Sequence, residues 1–185
     1  GDKIPAIEIQ SEDLAFLQYT GGTTGLSKGA MLSHRNIVAN MEQGGAWLGL
    51  GLKQGHETII TALPLYHIFA LTVNCMIFMR IGALNVLVTD PRNMKDFVKL
   101  LSETPFSGIT GVNTLFNGLM NTEGFSAIDF KTLKISVGGG AAVQRAVAER
   151  WKAITGVTLV EGYGLTEASP SCSMNRIDAP EYTGS

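Results

Sequence analysis

Cysteine is scarce in this sequence: Cys75 and Cys172 are the only two among 185 residues. Two thiols so far apart build no disulfide framework and match no metal-ligand spacing. The simplest compartment for such a chain is a reducing cytosol. Cys75 lies in an apolar run and is expected to be a buried free thiol. An excess of one charge is also missing. Lysine and arginine number 14 against 16 aspartates and glutamates, a net charge of -2. The charges are mixed along the chain with no basic stripe or tail, which excludes the electrostatic footprint of a nucleic-acid partner. No hydrophobic run is long enough for a membrane span. The longest, residues 62–79, is interrupted by Pro64, His67 and Asn74, whereas a spanning helix wants about 20 predominantly apolar residues. It reads as a buried strand end followed by a buried helix. No basic segment with an apolar core opens the chain, so no signal peptide is visible. Internal repeats and low-complexity stretches are absent.

What is abundant is glycine, 22 residues, in a chain that is 45% hydrophobic. That combination suits a loop-rich α/β protein with a packed core better than a helical bundle. Strand-like runs cover residues 14–19, 29–32, 58–63, 84–88, 108–111, 133–137 and 157–160. Helical segments are expected over 34–47, 68–78, 94–102 and 143–154. Ser33 and Asn93 are placed to cap the first and third of these. Phe97, Leu100 and Leu101 recur at helical spacing, as do Val143, Val147 and Trp151. Strands alternating with helices imply layered βαβ units with a largely parallel sheet. Ligands in such sheets bind beyond the carboxyl ends of the strands. The glycine turns at Gly138 and Gly162 are expected at two such ends.

The most informative segment is Tyr19-Thr20-Gly21-Gly22-Thr23-Thr24-Gly25-Leu26-Ser27-Lys28-Gly29. Glycines allow backbone amides to form a concave nest for anionic oxygens. Threonine hydroxyls add donors, and Lys28 adds a point charge. A plain glycine turn rarely carries three threonines and a lysine together, so a phosphate-binding loop is the stronger reading. It is not a Walker A loop, in which Gly-Lys precedes Ser or Thr and opens a helix. Here Ser27 precedes Lys28, Gly29 follows it, and the flanks read as two strands of a hairpin.

Three further motifs follow in order: Leu63-Pro64-Leu65-Tyr66-His67-Ile68-Phe69, Gly138-Gly139-Gly140-Ala141-Ala142 and Glu161-Gly162-Tyr163-Gly164-Leu165-Thr166-Glu167. Together the four motifs resemble those of the adenylate-forming superfamily of acyl-CoA synthetases, adenylation domains and luciferases. The version here is most similar to bacterial long-chain fatty-acid–CoA ligases. It departs from the family's usual loop at Gly21, where a serine is usual, and at Ser27, where a proline is usual. The chain is expected to be an interior piece, residues 1–185, of the large N-terminal AMP-binding domain, without the C-terminal lid domain.

The resemblance implies roles residue by residue. Thr20, Gly21, Gly22, Thr23, Thr24, Gly25 and Lys28 would hold the β- and γ-phosphates of ATP. Gly139, Gly140 and Ala141 would let the backbone lie against the nucleotide. Glu161, Gly162, Tyr163 and Gly164 belong to the adenine-binding motif, with Tyr163 packing on the base. Thr166 would bond the α-phosphate, Glu167 with Thr20 would hold Mg²⁺, and His67 would lie beside the acyl carboxylate. His34 and His56 receive no role. From residue type alone, Glu167 reads better as a solvated helix-start residue, and His67 as a satisfied core histidine. The implied reaction joins a fatty acid to coenzyme A through an acyl-adenylate, with ATP and Mg²⁺. Alternatives are a ligase for a medium-chain, aryl or amino acid, or a nucleotide-binding fragment without turnover. Peripheral contact with the inner membrane face and a homodimer are both compatible with the resemblance, although no basic amphipathic helix signals the former.

Overall fold

The computed structural model describes residues 6–20, 27–49 and 51–184. β1 (Leu14–Thr20) and β2 (Lys28–Ser33) pair antiparallel as a separate two-stranded sheet, with Thr20 opposite Lys28. The expected hairpin is therefore present. α1 (His34–Leu48) follows β2 without an intervening residue. Ser33 caps it: the Asn36 N–H donates to the Ser33 hydroxyl, and the Ser33 N–H donates to the Asn36 side chain. This reciprocal capping box satisfies amides that the first helical turn leaves unpaired.

The main sheet has six strands: β3 (Thr58–Thr61), β4 (Leu84–Leu87), β5 (Gly108–Gly111), β6 (Ile135–Gly138), β7 (Leu159–Gly164) and β8 (Ser171–Met174). Their spatial order is β4-β3-β5-β6-β7-β8. The first five run parallel, and β8 is antiparallel to β7. Every residue of β5 and β6 is buried, as expected of strands covered on both faces. Successive side chains point to opposite faces. Ile60 and Ile109 thus join one core layer with Phe97, Leu119 and Trp151, while Ile59, Ile135 and Val137 join another with Leu48, Val73 and Ile77. α3 (Met94–Glu103), α4 (Asn113–Asn121) and α5 (Arg145–Thr155) supply the first layer, and α1 with the helix after β3 supplies the second. Trp151 is fully buried and stacks edge-on against Phe116; its indole N–H donates to the Ser136 hydroxyl at 3.0 Å.

The segment after His67 is helical, but with a π-helical path over Ala70–Ile77, continued by α2 (Phe78–Arg80). Buried Asn74 sits in that path. Its amide donates to Thr61 on β3, its oxygen accepts from Thr110 on β5, and its backbone carbonyl accepts from Asn85 on β4. Thr61 in turn donates to the Asn85 side chain.

Four expectations change. α4 lies where no element was expected, although Leu115, Phe116, Leu119 and Met120 bury one face at helical spacing. β8 was also unforeseen: Ser171-Cys172-Ser173-Met174 alternates polar and apolar residues, but over only four positions and with no β-branched or aromatic residue. Gly162-Tyr163-Gly164 is a strand and not a turn, because β8 pairs with it. Cys75 is half-buried and Cys172 exposed, both as free thiols. Among the described residues, no helix is long and apolar enough to cross a membrane.

Candidate active site

A cavity of about 310 Å³ opens where β6 and β7 end. Gly139 and Gly140 form one wall. A side chain at Gly139 would stand 3.2 Å from both the Gly162 carbonyl and the Phe69 ring, and Gly140 holds φ at +77°. The backbone at Gly140 therefore favours glycine, and a side chain at Gly139 would have to push the Gly162 carbonyl or the Phe69 ring back by a few tenths of an ångström. Across from them, Gly162, Tyr163 and Gly164 bring the end of β7 to the cavity. The Tyr163 ring is exposed. A second cavity of about 440 Å³, bounded by Ala141, Ala142, Glu161 and Asn175, lies against the same residues of β7.

The chain then makes a tight excursion. A 3-10 turn at Thr166–Ala168 presents Thr166 and Glu167 to the first cavity. Leu165 N–H donates to the Pro170 carbonyl at 2.9 Å, closing the excursion before β8. A side chain at Gly164 would meet that carbonyl at 2.3 Å. Ser169 adopts φ +73°, and the Ser169–Pro170 peptide is cis.

Thr20 and His67 line the first cavity from outside the main sheet. The Thr20 hydroxyl donates to the Lys28 carbonyl at 3.2 Å, which leaves its oxygen lone pairs available. His67 Nδ1 accepts the Phe69 N–H at 3.2 Å. In neutral imidazole the proton then lies on Nε2. Gln18 on β1 donates to the Tyr66 carbonyl at 2.8 Å, tying the hairpin to the His67 loop. Among the described residues, Glu167 is the only carboxylate on this cavity.

One expected cofactor residue has other engagements. The Glu161 carboxylate is buried, accepts the Val143 N–H at 2.9 Å and lies 2.8 Å from the Tyr182 hydroxyl. Burial and the bond to Glu161 push the Tyr182 phenol up to about 12. Lys28 is exposed and lines neither cavity. Gly21, Gly22, Thr23, Thr24 and Gly25 lie outside the described residues. Ser171, Ser173 and Met174 of β8 also face the first cavity, and no sequence pattern marked them. A third cavity, about 440 Å³ and mainly apolar, lies behind β8 between Trp47, Leu48, Ile77 and Met174.

Glycine-lined backbone, an exposed aromatic ring and a hydroxyl–carboxylate pair at the carboxyl ends of parallel strands define a nucleotide-binding α/β protein. The chain belongs to the AMP-binding enzyme family, whose pattern matches residues 2–185. It is 56% identical over 178 residues to a long-chain-fatty-acid–CoA ligase of Escherichia coli O6:H1, covering 96% of this chain and 32% of that protein. Among solved structures, ATP-bound MatB from Rhodopseudomonas palustris is similar at a TM-score of 0.80 and 28% identity, over 96% of this chain and 34% of that one. The anthranilate CoA ligase AuaEII in complex with anthranoyl-AMP is similar at 0.85 and 25% identity, over 95% and 34%. The chain thus spans about a third of the length of the relatives it matches.

Proposed function

We propose that the protein containing this chain is an AMP-forming long-chain fatty-acid–CoA ligase. The observation that carries this reading is the convergence of Gly139, Gly140, Tyr163, Thr166 and Glu167 on one cavity that Thr20 and His67 also reach. Tyr163 offers its flat face to adenine. The hairpin around Thr20 and Lys28 takes the β- and γ-phosphates.

In the first half-reaction a fatty carboxylate oxygen attacks the α-phosphorus of ATP, and the bond to pyrophosphate breaks. No protein nucleophile is needed, so the chain's task is to hold the carboxylate in line at near-attack distance. His67 donates from Nε2 to the carboxylate, and Thr166 donates to the α-phosphate as charge shifts onto its oxygens. In the second half-reaction the coenzyme A thiol attacks the acyl carbonyl and AMP departs.

A lone carboxylate facing a polyanionic substrate is repulsive unless a cation lies between them. Glu167 and the free lone pairs of Thr20 fit Mg²⁺, which takes oxygen donors from one or two carboxylates or hydroxyls and completes its shell with phosphates and water. When bound, Mg²⁺ neutralises charge on the phosphates and the leaving pyrophosphate.

The apolar cavity behind β8 favours an alkyl chain over a compact polar acid. A ligase for aryl, medium-chain or amino acids is the competing reading. Carboxylate-dependent ATP–pyrophosphate exchange by the full-length protein, across acetate, octanoate, palmitate, benzoate and amino acids, separates them. Exchange is expected to peak with palmitate. A peak with another acid removes the specificity and keeps the mechanism, whereas no exchange with any acid removes both.

A further inference from the structure

We infer that Asn40, on the second turn of α1, is a positioning residue that sets where the Thr166–Glu167 turn stands relative to the phosphate-binding hairpin. The inference rests on the ATP-binding reading above. Asn40 is buried, 5% exposed, far from any position that the motifs mark. Its carboxamide makes three bonds, all to one short piece of backbone. Nδ2 donates to the Ser171 carbonyl at 2.9 Å and to the Ala168 carbonyl at 3.3 Å, and Oδ1 accepts the Ser171 N–H at 3.1 Å. These three bonds hold Ala168 and Ser171, on either side of Ser169–Pro170 and directly after Thr166 and Glu167. Ser169 between them holds a left-handed conformation that a serine keeps only when its surroundings impose it.

The N-terminus of the same helix, two turns before Asn40, is joined to the hairpin. Ser33 is at once the last residue of β2 and the cap of α1, so the helix continues the hairpin with no linker between them. The 3-10 turn also packs beside β2. One helix therefore links the hairpin carrying Thr20 and Lys28 to the turn carrying Glu167. Those two groups must reach opposite sides of the same metal–triphosphate, and an error of about 1 Å in such a spacing can cost about 100-fold in rate.

The test uses the full-length protein with Asn40→Leu and Asn40→Asp. Asn40→Leu removes all three bonds at similar volume; Asn40→Asp keeps the acceptor and loses both donors. Leu119→Ala, in the core under α4, is the control for general destabilisation. Melting temperature, Mg·ATP affinity by equilibrium titration, and the Mg²⁺ and palmitate dependence of pyrophosphate exchange are read for each. Both Asn40 variants are expected to raise the Mg²⁺ needed for half-maximal exchange and to lower kcat by about 10- to 100-fold; KM for palmitate decides nothing, since Asn40 also borders the apolar cavity behind β8. Leu119→Ala is expected to melt at least as early and keep both values. Asn40 variants with wild-type Mg²⁺ dependence and kcat would overturn the inference, as would the same losses in Leu119→Ala. If Asn40→Leu does not fold, Asn40→Asp decides. Wild-type protein that binds Mg·ATP but exchanges with no acid would remove the ligase reading, and the variants' Mg·ATP affinities would still decide the role of Asn40. Wild-type protein that binds no Mg·ATP would remove both.

Discussion

Glu167 and Tyr163 share one cavity wall but answer to different forces. Glu167 acts through charge. Replacing it with alanine should leave the fold intact, since its side chain is exposed, and should slow adenylate formation by about 10²-fold or more, the usual cost of losing one well-placed electrostatic group. Pyrophosphate exchange and circular dichroism on the same preparation check both halves. Tyr163 acts through a face. Tyr163→Ala should raise KM for ATP by about three- to tenfold, the range for a lost aromatic stack, and leave KM for the fatty acid nearly unchanged. An effect confined to the fatty acid would place the ring elsewhere. Glu57, at the opposite end of the sheet, governs stability. Burial pushes its carboxyl up, but the Lys134 ammonium at 2.7 Å and the Lys53 N–H outweigh this and hold it below its usual 4.5. A carboxyl lowered in the folded state stabilises at pH above its unfolded value, and the gain disappears as pH falls through the folded one. Melting temperature should therefore drop as pH is taken below 4.5, and Glu57→Gln should flatten that acid limb.

Among the elements, β7 and β8 show what hydrogen bonding overrides. Two glycines in three residues weaken a strand, yet β7 runs to Gly164 because β8 pairs with it. Gly164→Ala should break that arrangement, since its Cβ would enter the Pro170 carbonyl. Loss of nucleotide affinity together with faster hydrogen exchange over residues 162–174 is the expected result. The same pair shows where reading a sequence stops. Strands rich in Ile, Val and Leu and helices with Ser, Asn or Gly at their ends were legible, because burial and capping both leave a pattern. β8 left only a four-residue alternation with no β-branched or aromatic residue, too short to read, and its pairing with β7 holds it in place. α4 did leave a pattern, in Leu115, Phe116, Leu119 and Met120, masked by Asn113, Thr114 and Gly118. Within the site, the glycine turns and Thr166–Glu167 were legible as motifs. Asn40 was not, because a single amide inside a helix has no spacing to betray it.

Across the whole molecule, several apolar faces lack cover. Leu17, Tyr19 and Met31 lie exposed on the outer side of the hairpin, and Leu84 and Leu87 on edge strand β4. Exposed edges and faces of this kind favour self-association. The relatives are about three times as long as this chain. Purified alone, the 185 residues should give no palmitoyl-CoA above background, and should elute from size exclusion as self-associated species. Steady thioester formation by a monodisperse preparation would contradict both expectations.

The buried amide of Asn74 adds a folding consequence. It reaches Thr61 and Thr110 only while β3, β4 and β5 are aligned as they are. Sliding one strand by a single residue would turn its threonine to the other face and strand a polar group in hydrocarbon, at a cost of about 1–3 kcal/mol. Ile59 and Ile60 would tolerate such a slip far better, being apolar on either side. The sheet's alignment is thus checked by its few polar atoms, and its greasy majority only supplies the adhesion.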